Sequence, residues 1–376
     1  MEKIAIIGAN EFQRRLILKA KEMGLETHVF AWRDGAVGGA DADYFYPISI
    51  VEREQILDEC RRIGIHGITS IASDLAVCTV NYVAEKMGLP GNSIDSIERC
   101  TNKYRMRDCL KEAGLRVPQY LKVSAKEKDV DLSGFTFPII VKPTDRSGSR
   151  SITELESTDG LEEAIRAATE VSFEKCAIIE EYLTGNEYSA ESISYHGKHH
   201  MLAVTKKYTT GAPNYIETGH MIPADIPTEE YDKIRQTIYK ALDALSVTNG
   251  ASHAEFKYEN GEVKLIEIGA RMGGDFIGSD LVYLATGMDF VKMTIDVALG
   301  RQPDLTVHGS PATACVKFIL NNDDVEKWRE FSRNHRIYRQ SDIEHSERET
   351  VIDSSSRWGY YIYRLNEDAT DKGDIS

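Results

Sequence analysis

The sequence predicts a protein of mixed class, with an α/β domain first and α+β structure after it. In the first hundred residues, short apolar runs alternate with amphipathic helical patterns. The next seventy residues follow a strand–loop–strand–helix–strand pattern, and strand patterns dominate beyond residue 186. The early alternation indicates a parallel sheet with helices on its faces. A chain of 376 residues also has room for two or three domains with sizeable cores.

The predicted elements of the first region are short buried strands and the helices that cover them. The strands are Ile4–Ile7, Thr27–Phe30 and Gly67–Ile71, and the helices are 12–23, 53–63, 75–87 and 101–113. Gly114 is a candidate helix C-cap, and Pro118 begins a new unit. Gly8-Ala9-Asn10 follows the first strand but is not a complete G-x-G-x-x-G motif. A tight strand-to-helix turn explains it at least as well as a dinucleotide site.

The later region is predicted to contain two further groups of elements. The first group consists of strands 137–143, 151–155 and 177–181 with a helix at 160–170. The second consists of strands 187–195, 201–206, 251–258, 263–268 and 312–319 with helices near 229–245 and 279–298.

Bulk composition narrows the classes of function. The chain has 45 basic and 60 acidic residues, a formal net charge of −15. Such a surface repels nucleic acid and anionic membrane, so we expect neither as a partner. The six cysteines include no C-x-x-C pair, which is typical of reduced thiols in the cytoplasm. No apolar run approaches the ~20 residues of a membrane span, and the expected location is cytoplasmic.

A hairpin near residue 260 is the most informative feature. Asn260-Gly261 is a strong turn signal between two alternating runs. A three-residue loop (260–262) would place Glu255 opposite Glu267, and Ala254, Phe256, Ile266 and Ile268 on the other face. A two-residue loop would set Lys257 against Lys264 and separate the carboxylates. Two facing carboxylates need a proton or a cation between them, and Mg²⁺ suits such a pair. A solvated hairpin face is the alternative.

Three other features point to a nucleotide. Lys142 ends a buried strand, where an ammonium group requires an anion. The Ser147-Gly148-Ser149 loop offers backbone N–H groups and hydroxyls to a phosphate. The last feature, Glu180-Glu181-Tyr182-Leu183 followed by Glu187, offers an apolar slot with acceptors for adenine and ribose. Each feature alone also has a purely structural explanation.

Together these motifs resemble the ATP-grasp superfamily over nearly the whole chain. The matching runs are PIIVKP, DRSGSRSI, IIEEYLTGNEYSAES, HAEF and IEIGARMGG. Within the superfamily the chain is most similar to carboxylate–amine ligases of the L-amino acid ligase type. The resemblance implies an ATP-grasp fold: a Rossmann-like N-terminal domain (1–115), a small α+β lid (116–185) and a larger antiparallel-sheet C-terminal domain (186–376). Similar proteins often dimerise through the N-terminal domain, so a homodimer is the oligomeric state to test.

The resemblance also implies roles for individual residues toward ATP and Mg²⁺. The residues implied are Lys103, Lys142, Ser147, Gly148 and Ser149 for the phosphates; Glu180, Glu181, Leu183 and Glu187 for adenine and ribose; Glu255 and Glu267 for magnesium; and Arg271 and His220 for the reacting groups. Arg271 is expected to hold a substrate carboxylate with both arms of its guanidinium group. Gly269 stands where many members carry an asparagine ligand, which puts a second magnesium ion in question.

The resulting hypothesis is an ATP-dependent ligase that joins a small-molecule carboxylate to an amine through an acyl phosphate. The alternatives are a purine-pathway or carboxylase-like ligase, a catalytically silent ATP-binding protein, and a nicotinamide oxidoreductase. The sequence shows few extra basic residues for a second phosphate, and it lacks the dinucleotide motif.

Overall fold

The computed structural model describes residues 1–127, 130–148, 150–343 and 351–365, which form three β-sheets and ten α-helices. The three sheets use separate stretches of chain, 3–69, 120–181 and 186–365. The predicted domain limits at residues 115 and 185 fall between these stretches and stay a prediction. In the described part of the chain, no helix combines the length and the apolar character that crossing a bilayer requires.

The N-terminal sheet is parallel, as the alternating pattern predicts. Its strands are β1 (Lys3–Ile7), β2 (Glu26–Phe30), β3 (Tyr44–Tyr46) and β4 (Gly67–Thr69), in the order β3-β2-β1-β4. Its helices are α1 (Glu11–Glu22), α2 (Arg53–Ile63), α3 (Asp74–Met87), α4 (Ile94–Thr101) and α5 (Lys103–Glu112). Asn10 and Gln13 form a capping box at the start of α1. The Gly8-Ala9-Asn10 turn is therefore explained by a helix cap.

The small sheet is antiparallel. Its strands are β5 (Tyr120–Ser124), β6 (Ile139–Pro143), β7 (Thr153–Leu155) and β8 (Cys176–Glu181), in the order β5-β8-β6-β7, with helix α6 (Leu161–Val171) packed against it. The sequence pattern did not predict β5. Side chains from β5, β6, β8 and α6 form a small apolar core.

The large sheet has eight strands and is antiparallel throughout. Its strands are β9 (Asn186–Tyr195), β10 (Lys198–Thr209), β11 (Glu217–Ile222), β12 (Gly250–Glu259), β13 (Glu262–Gly269), β14 (Thr313–Ile319), β15 (Ile337–Gln340) and β16 (Gly359–Leu365). They lie in the order β13-β12-β9-β10-β11-β14-β16-β15. The associated helices are α7 (Thr228–Ala244), α8 (Val282–Thr286), α9 (Phe290–Ala298) and α10 (Asn322–Asn334).

The prediction of one helix near 279–298 is wrong. A π-helical turn (Ile277–Leu281) leads into α8. Helix α8 ends with Gly287 as its C-cap, and α9 begins only at Phe290. Gly287 has φ +74°, and a Cβ there would lie 2.1 Å from the carbonyl oxygen of His308. Only glycine fits this combination of left-handed backbone and close approach.

Candidate active site

A cavity of about 210 Å³ lies between the small sheet and the large sheet. Most of the residues predicted for a nucleotide site line it: Lys103, Lys142, Ser147, Gly148, Glu180, Glu181, Leu183, Glu187, Glu255, Glu267 and Arg271. Ser149 lies outside the described residues. Of the predicted residues that the structure describes, only His220 is not part of the cavity wall.

The two predicted metal ligands face each other on the β12–β13 hairpin. The register pairs Glu255 with Glu267, as predicted, but the three-residue loop that was predicted to cause this pairing is wrong. The loop has two residues, Asn260 and Gly261, with φ of +51° and +76°, and Lys257 pairs with Lys264. A β-bulge then shifts the register before Glu255, which restores the carboxylate pair.

The bulge also corrects the predicted position of Ile266. This side chain was expected on the apolar face with Phe256 and Ile268, but it lines the cavity instead. Leu265 takes its place in the core, because it is the residue that pairs with Phe256.

Cationic groups of the large sheet surround Glu255. Lys207 forms an ion pair with it, and Nε2 of His253 lies 3.1 Å from Oε1 of Glu255. Burial raises the pKa of Glu255, but Lys207 and His253 outweigh burial and hold the pKa well below its ordinary value. The other ring nitrogen of His253 lies 2.7 Å from Glu191. Burial lowers the pKa of His253, but Glu191 and Glu255 raise it to about 9.

This carboxylate pair fits one magnesium ion. Glu255 stays ionised, and Glu267 lies opposite it with a partly exposed side chain. Within the described residues, no cluster of three or more His, Cys, Asp or Glu side chains could hold a metal. Mg²⁺ does not need one, because it commonly takes one or two carboxylates and completes its shell with phosphate oxygens and water.

The small sheet and helix α5 together form a buried group with more positive than negative charge, in which Lys142 and Glu180 lie on strands and Arg107 lies on the helix. Glu180 accepts from Nε of Arg107 at 2.6 Å, and its other oxygen lies 2.6 Å from Nζ of Lys142. All three side chains are almost fully buried. Burial raises the pKa of Glu180, but Arg107 and Lys142 lower it to about 2. One carboxylate therefore serves two cations, which leaves positive charge for an anionic ligand.

This arrangement corrects one expectation. Glu180 was assigned to adenine, but the two cations occupy both of its oxygens, so it is placed to orient Lys142. It is also the anion that Lys142 requires inside the protein, while the nearby Asp145 accepts from the backbone N–H groups of Phe173 and Glu174.

Lys103 connects the two halves of the cavity. It lies at the start of α5, and its Nζ donates to the carbonyl of Arg146 at 2.7 Å and lies 3.3 Å from Glu267. Arg146 immediately precedes the predicted phosphate loop, in which Ser147 and Gly148 are exposed at the cavity wall. The lysine thus lies between that loop and the carboxylate pair.

The residues assigned to adenine and ribose follow the end of β8. Glu181 accepts from the backbone N–H of Thr136 at 2.8 Å, and Leu183 lies at the cavity wall. Glu187 lies between two lysines, with Lys207 at 3.2 Å and Lys257 at 3.3 Å. These contacts are compatible with the predicted positions and do not test the assignments.

The role expected of Arg271 requires correction. Its Nε and Nη2 donate to the two oxygens of Asp74 at 2.8 and 3.0 Å. Asp74 lies in the first turn of α3, so the guanidinium fork that was assigned to a substrate carboxylate is already taken by the N-terminal region. Burial lowers the pKa of Arg271, but Asp74 raises it well above its ordinary range.

The Arg271–Asp74 pair also explains Gly269. A Cβ at position 269 would lie 3.2 Å from Cζ of Arg271 and 3.4 Å from Oδ1 of Asp74. An asparagine side chain at this position would be in close contact with the Arg271–Asp74 ion pair. The glycine is therefore part of the geometry that holds Arg271.

His220 lies beside the cavity. It is buried on β11, opposite Lys207 in the β10–β11 register, and its Nε2 lies 3.4 Å from Oδ2 of Asp275. It packs edge-on against Phe318, with the ring centroids 5.9 Å apart. Its predicted contact with the reacting groups stays a prediction.

Sequence reasoning missed several charged residues at this site, among them Arg107, Lys207, His253 and Asp74. Arg107 follows Lys103 by four residues, so helical spacing could have placed both on one face of α5. Lys207 meets Glu255 only because the strands of the large sheet bring them together, and Asp74 is 197 residues from Arg271. No local pattern predicts these contacts.

Comparison with known proteins identifies the class. Residues 135–280 match the family model described as "ATP-grasp domain". The chain therefore carries an ATP-grasp domain, as the motifs predicted.

Among similar proteins are ligases that act on amino acids. The alanine–anticapsin ligase of Bacillus subtilis (strain 168) is 28% identical over 278 residues, covering 67% of this chain and 58% of that protein. The L-arginine-specific L-amino acid ligase of Bacillus subtilis is 24% identical, covering 71% of this chain and 67% of that protein. An uncharacterised Sinorhizobium fredii protein is 27% identical, and the match spans only 57% of its length. The chain thus spans well under two thirds of several relatives.

Solved structures confirm the fold over most of the chain. The L-amino acid ligase from Bacillus licheniformis superposes with a TM-score of 0.80 at 21% identity, covering 98% of this chain and 94% of that one. Phosphoribosylglycinamide synthetase from Anaerococcus prevotii gives 0.76 at 19% identity, covering 97% and 94%.

Proposed function

We propose that this protein is an ATP-dependent carboxylate–amine ligase that acts on an amino acid. The main support for this proposal is the facing Glu255–Glu267 pair in a cavity that Lys103, Lys142 and Arg107 also line. The carboxylates suit a metal ion and the cations suit phosphate oxygens, which is the combination that phosphoryl transfer from a nucleotide requires.

In the proposed reaction, a carboxylate oxygen attacks the γ-phosphorus of ATP and ADP leaves. The amine nitrogen of the second substrate then attacks the carbonyl carbon of the acyl phosphate, inorganic phosphate leaves, and the amine gives up a proton. The activated intermediate divides amide synthesis into two feasible steps. Because water hydrolyses acyl phosphates, the site must exclude water while the intermediate exists.

The chain's own residues supply binding and orientation for both steps. Lys103 and Lys142 are placed to hold phosphate oxygens, with Lys142 fixed by Glu180. Glu255 and Glu267 would hold Mg²⁺, which neutralises phosphate charge when bound. Glu181, Leu183 and Glu187 are the residues we assign to the nucleoside, and Ser147 and Gly148 to closure over the phosphates.

An amino acid as the carboxylate substrate is supported by the relatives named as amino acid ligases. The large-sheet side of the cavity also carries carboxylates such as Glu217, which can accept from the ammonium group of an amino acid.

The test is ADP release with Mg·ATP and each proteinogenic L-amino acid, alone and in pairs. We expect at least one amino acid to stimulate ADP formation above the background without amino acid, and mass spectrometry to detect a dipeptide. ATP binding with no stimulation by any carboxylate would favour the catalytically silent alternative. Stimulation by bicarbonate alone would favour the carboxylase-like one.

A further inference from the structure

The segment Asp353–Trp358 reaches the substrate side of the site although it lies outside the ATP-grasp match at 135–280. It contains a short 3-10 turn (Ser354–Ser356), which a capping box from Asp353 begins. Strand β16 then follows at Gly359. Two side chains of this segment, those of Ser354 and Arg357, contact residues near the cavity.

The first contact is a bidentate ion pair between Arg357 and Asp275. Nη1 and Nη2 of Arg357 each donate to a different oxygen of Asp275 at 2.9 Å. The arginine side chain is only 8% exposed. Its guanidinium carbon lies 3.7 Å from the ring centroid of Phe318, and its Nε donates to the carbonyl of Ser354 at 2.7 Å. Every side of the guanidinium group therefore has a fixed partner.

The partner of Arg357 lies in a strained loop. Asp275 and Phe276 follow β13 with φ of +51° and +64°, a conformation that side-chain-bearing residues rarely adopt in succession. Such a conformation persists only when its surroundings hold it in place. Asp275 lies four residues after Arg271 in the sequence. Among the described residues, Arg357 is the cation that donates to both of its carboxylate oxygens.

Asp275 in turn contacts His220. The distance from Oδ2 of Asp275 to Nε2 of His220 is 3.4 Å, and Nδ1 of His220 is buried without a partner in the described part of the chain. His220 stands beside Lys207 on the neighbouring strand, and Lys207 pairs with Glu255. A continuous series of contacts thus runs from Arg357 to the metal-ligand side of the cavity.

The second contact of the segment is made by Ser354. Its hydroxyl donates to Oε2 of Glu217 at 2.7 Å, and Glu217 lies at the cavity wall. This short segment therefore contacts both Asp275, which lies behind the cavity wall, and Glu217, which lies in the wall.

We infer that Arg357 is a positioning residue for the substrate side of this site, fixing Asp275 and through it His220. The inference rests on the ligase function proposed above. Arg357 does not line the cavity, so its effect is exerted through the residues that it holds.

The first test needs no substrate and follows the imidazole nitrogens of His220 by ¹⁵N NMR. The signals are assigned by their loss in His220→Gln. We expect Arg357→Ala to shift them, and Arg357→Lys to shift them less. The matched control is Arg364→Ala, which also removes one arginine from this part of the chain but whose Nη2 donates to the carbonyl of Ser310. Unchanged His220 signals in a folded Arg357→Ala protein would overturn the inference.

The second test measures kinetics with the amino acid that gives the highest ADP release in the panel. In Arg357→Ala we expect kcat/KM for that amino acid to fall by about tenfold to a hundredfold, since misplacement by a distant mutation can cost this much. KM for ATP should change by less than about twofold, and Arg357→Lys should recover part of the loss. Equal losses for ATP and the amino acid would indicate a merely structural role and contradict the inference. An inactive wild type would refute the proposed function, while the NMR result would still decide the position of His220.

Discussion

The two walls of the cavity use buried charge in opposite ways. In the small-sheet wall, the single carboxylate of Glu180 serves two cations, Arg107 and Lys142. In the large-sheet wall, Glu255, Glu187 and Glu217 surround the ammonium group of Lys207. Around Glu180 the cations outnumber the carboxylates, and around Lys207 the carboxylates outnumber the cations, so we call the two walls positive and negative after these groups, although Lys257, His253 and Arg271 also line the negative wall. A nucleotide phosphate is complementary to the first group and a metal ion to the facing carboxylates of the second wall, so the difference indicates how a metal–nucleotide pair would be oriented.

The largest expected effect comes from breaking the negative wall. Glu267→Gln removes one charge of the facing pair without changing its shape. We expect kcat to fall by about 10³-fold, comparable with losing one preorganised electrostatic group, while circular dichroism shows an unchanged fold. Glu162→Gln is the matched control, because Glu162 is an exposed carboxylate on α6 outside the cavity lining. Near-normal turnover by Glu267→Gln would remove this residue from the metal site.

Acid titration tests the positive wall. The pKa of Glu180 is lowered to about 2 from an ordinary 4.5, so its contribution to the free energy of unfolding is present above pH 4.5 and is lost as pH falls toward 2. We expect this contribution to be about 3 kcal/mol. Glu180→Gln should be less stable at neutral pH and should lose less stability on acidification than the wild type, measured by urea unfolding. Parallel pH curves would contradict this prediction.

Alkaline titration tests the negative wall in the opposite direction. The pKa of His253 is raised to about 9 from 6.5, so its contribution is fully present below pH 6.5 and is lost as pH rises through 9. With EDTA present, we expect the wild type to lose up to about 1.4 kcal/mol per pH unit in this range. His253→Gln should lose less than the wild type does. An identical slope in the two proteins would show that His253 does not gain this charge.

The smallest expected effect concerns nucleotide affinity. Lys142→Ala should weaken ADP binding by about tenfold, because a buried cation that meets a phosphate is lost. Isothermal titration calorimetry measures the change. Lys122→Ala is the matched control, since Lys122 belongs to the same small sheet but forms a half-exposed ion pair with Glu174. If both variants bind ADP equally well, Lys142 does not contact the phosphates.

The sequence predicted the fold, and most of the site residues it predicted line the cavity, because both predictions depend on local signals. A few neighbouring residues are enough to predict the Asn260-Gly261 turn, the alternating strands and the motifs. The ion-pair partners of the charged side chains could not be predicted in this way. Arg271 was assigned to a substrate because nothing near it in the chain shows Asp74, and Glu180 was assigned to adenine because Arg107 lies on a distant helix. The correct carboxylate pair was predicted from a wrong loop length, since a bulge has no sequence signal here.

Gly269 has a consequence for how this chain can change. A Cβ at this position would lie 3.2 Å from Cζ of Arg271 and 3.4 Å from Oδ1 of Asp74, so a side chain here requires the ion pair to move by a few tenths of an ångström. A protein engineer who wants to add an amide ligand here can make room for it by changing position 74 or 271 in the same step. The effect of the substitution therefore depends on the genetic background in which it arises.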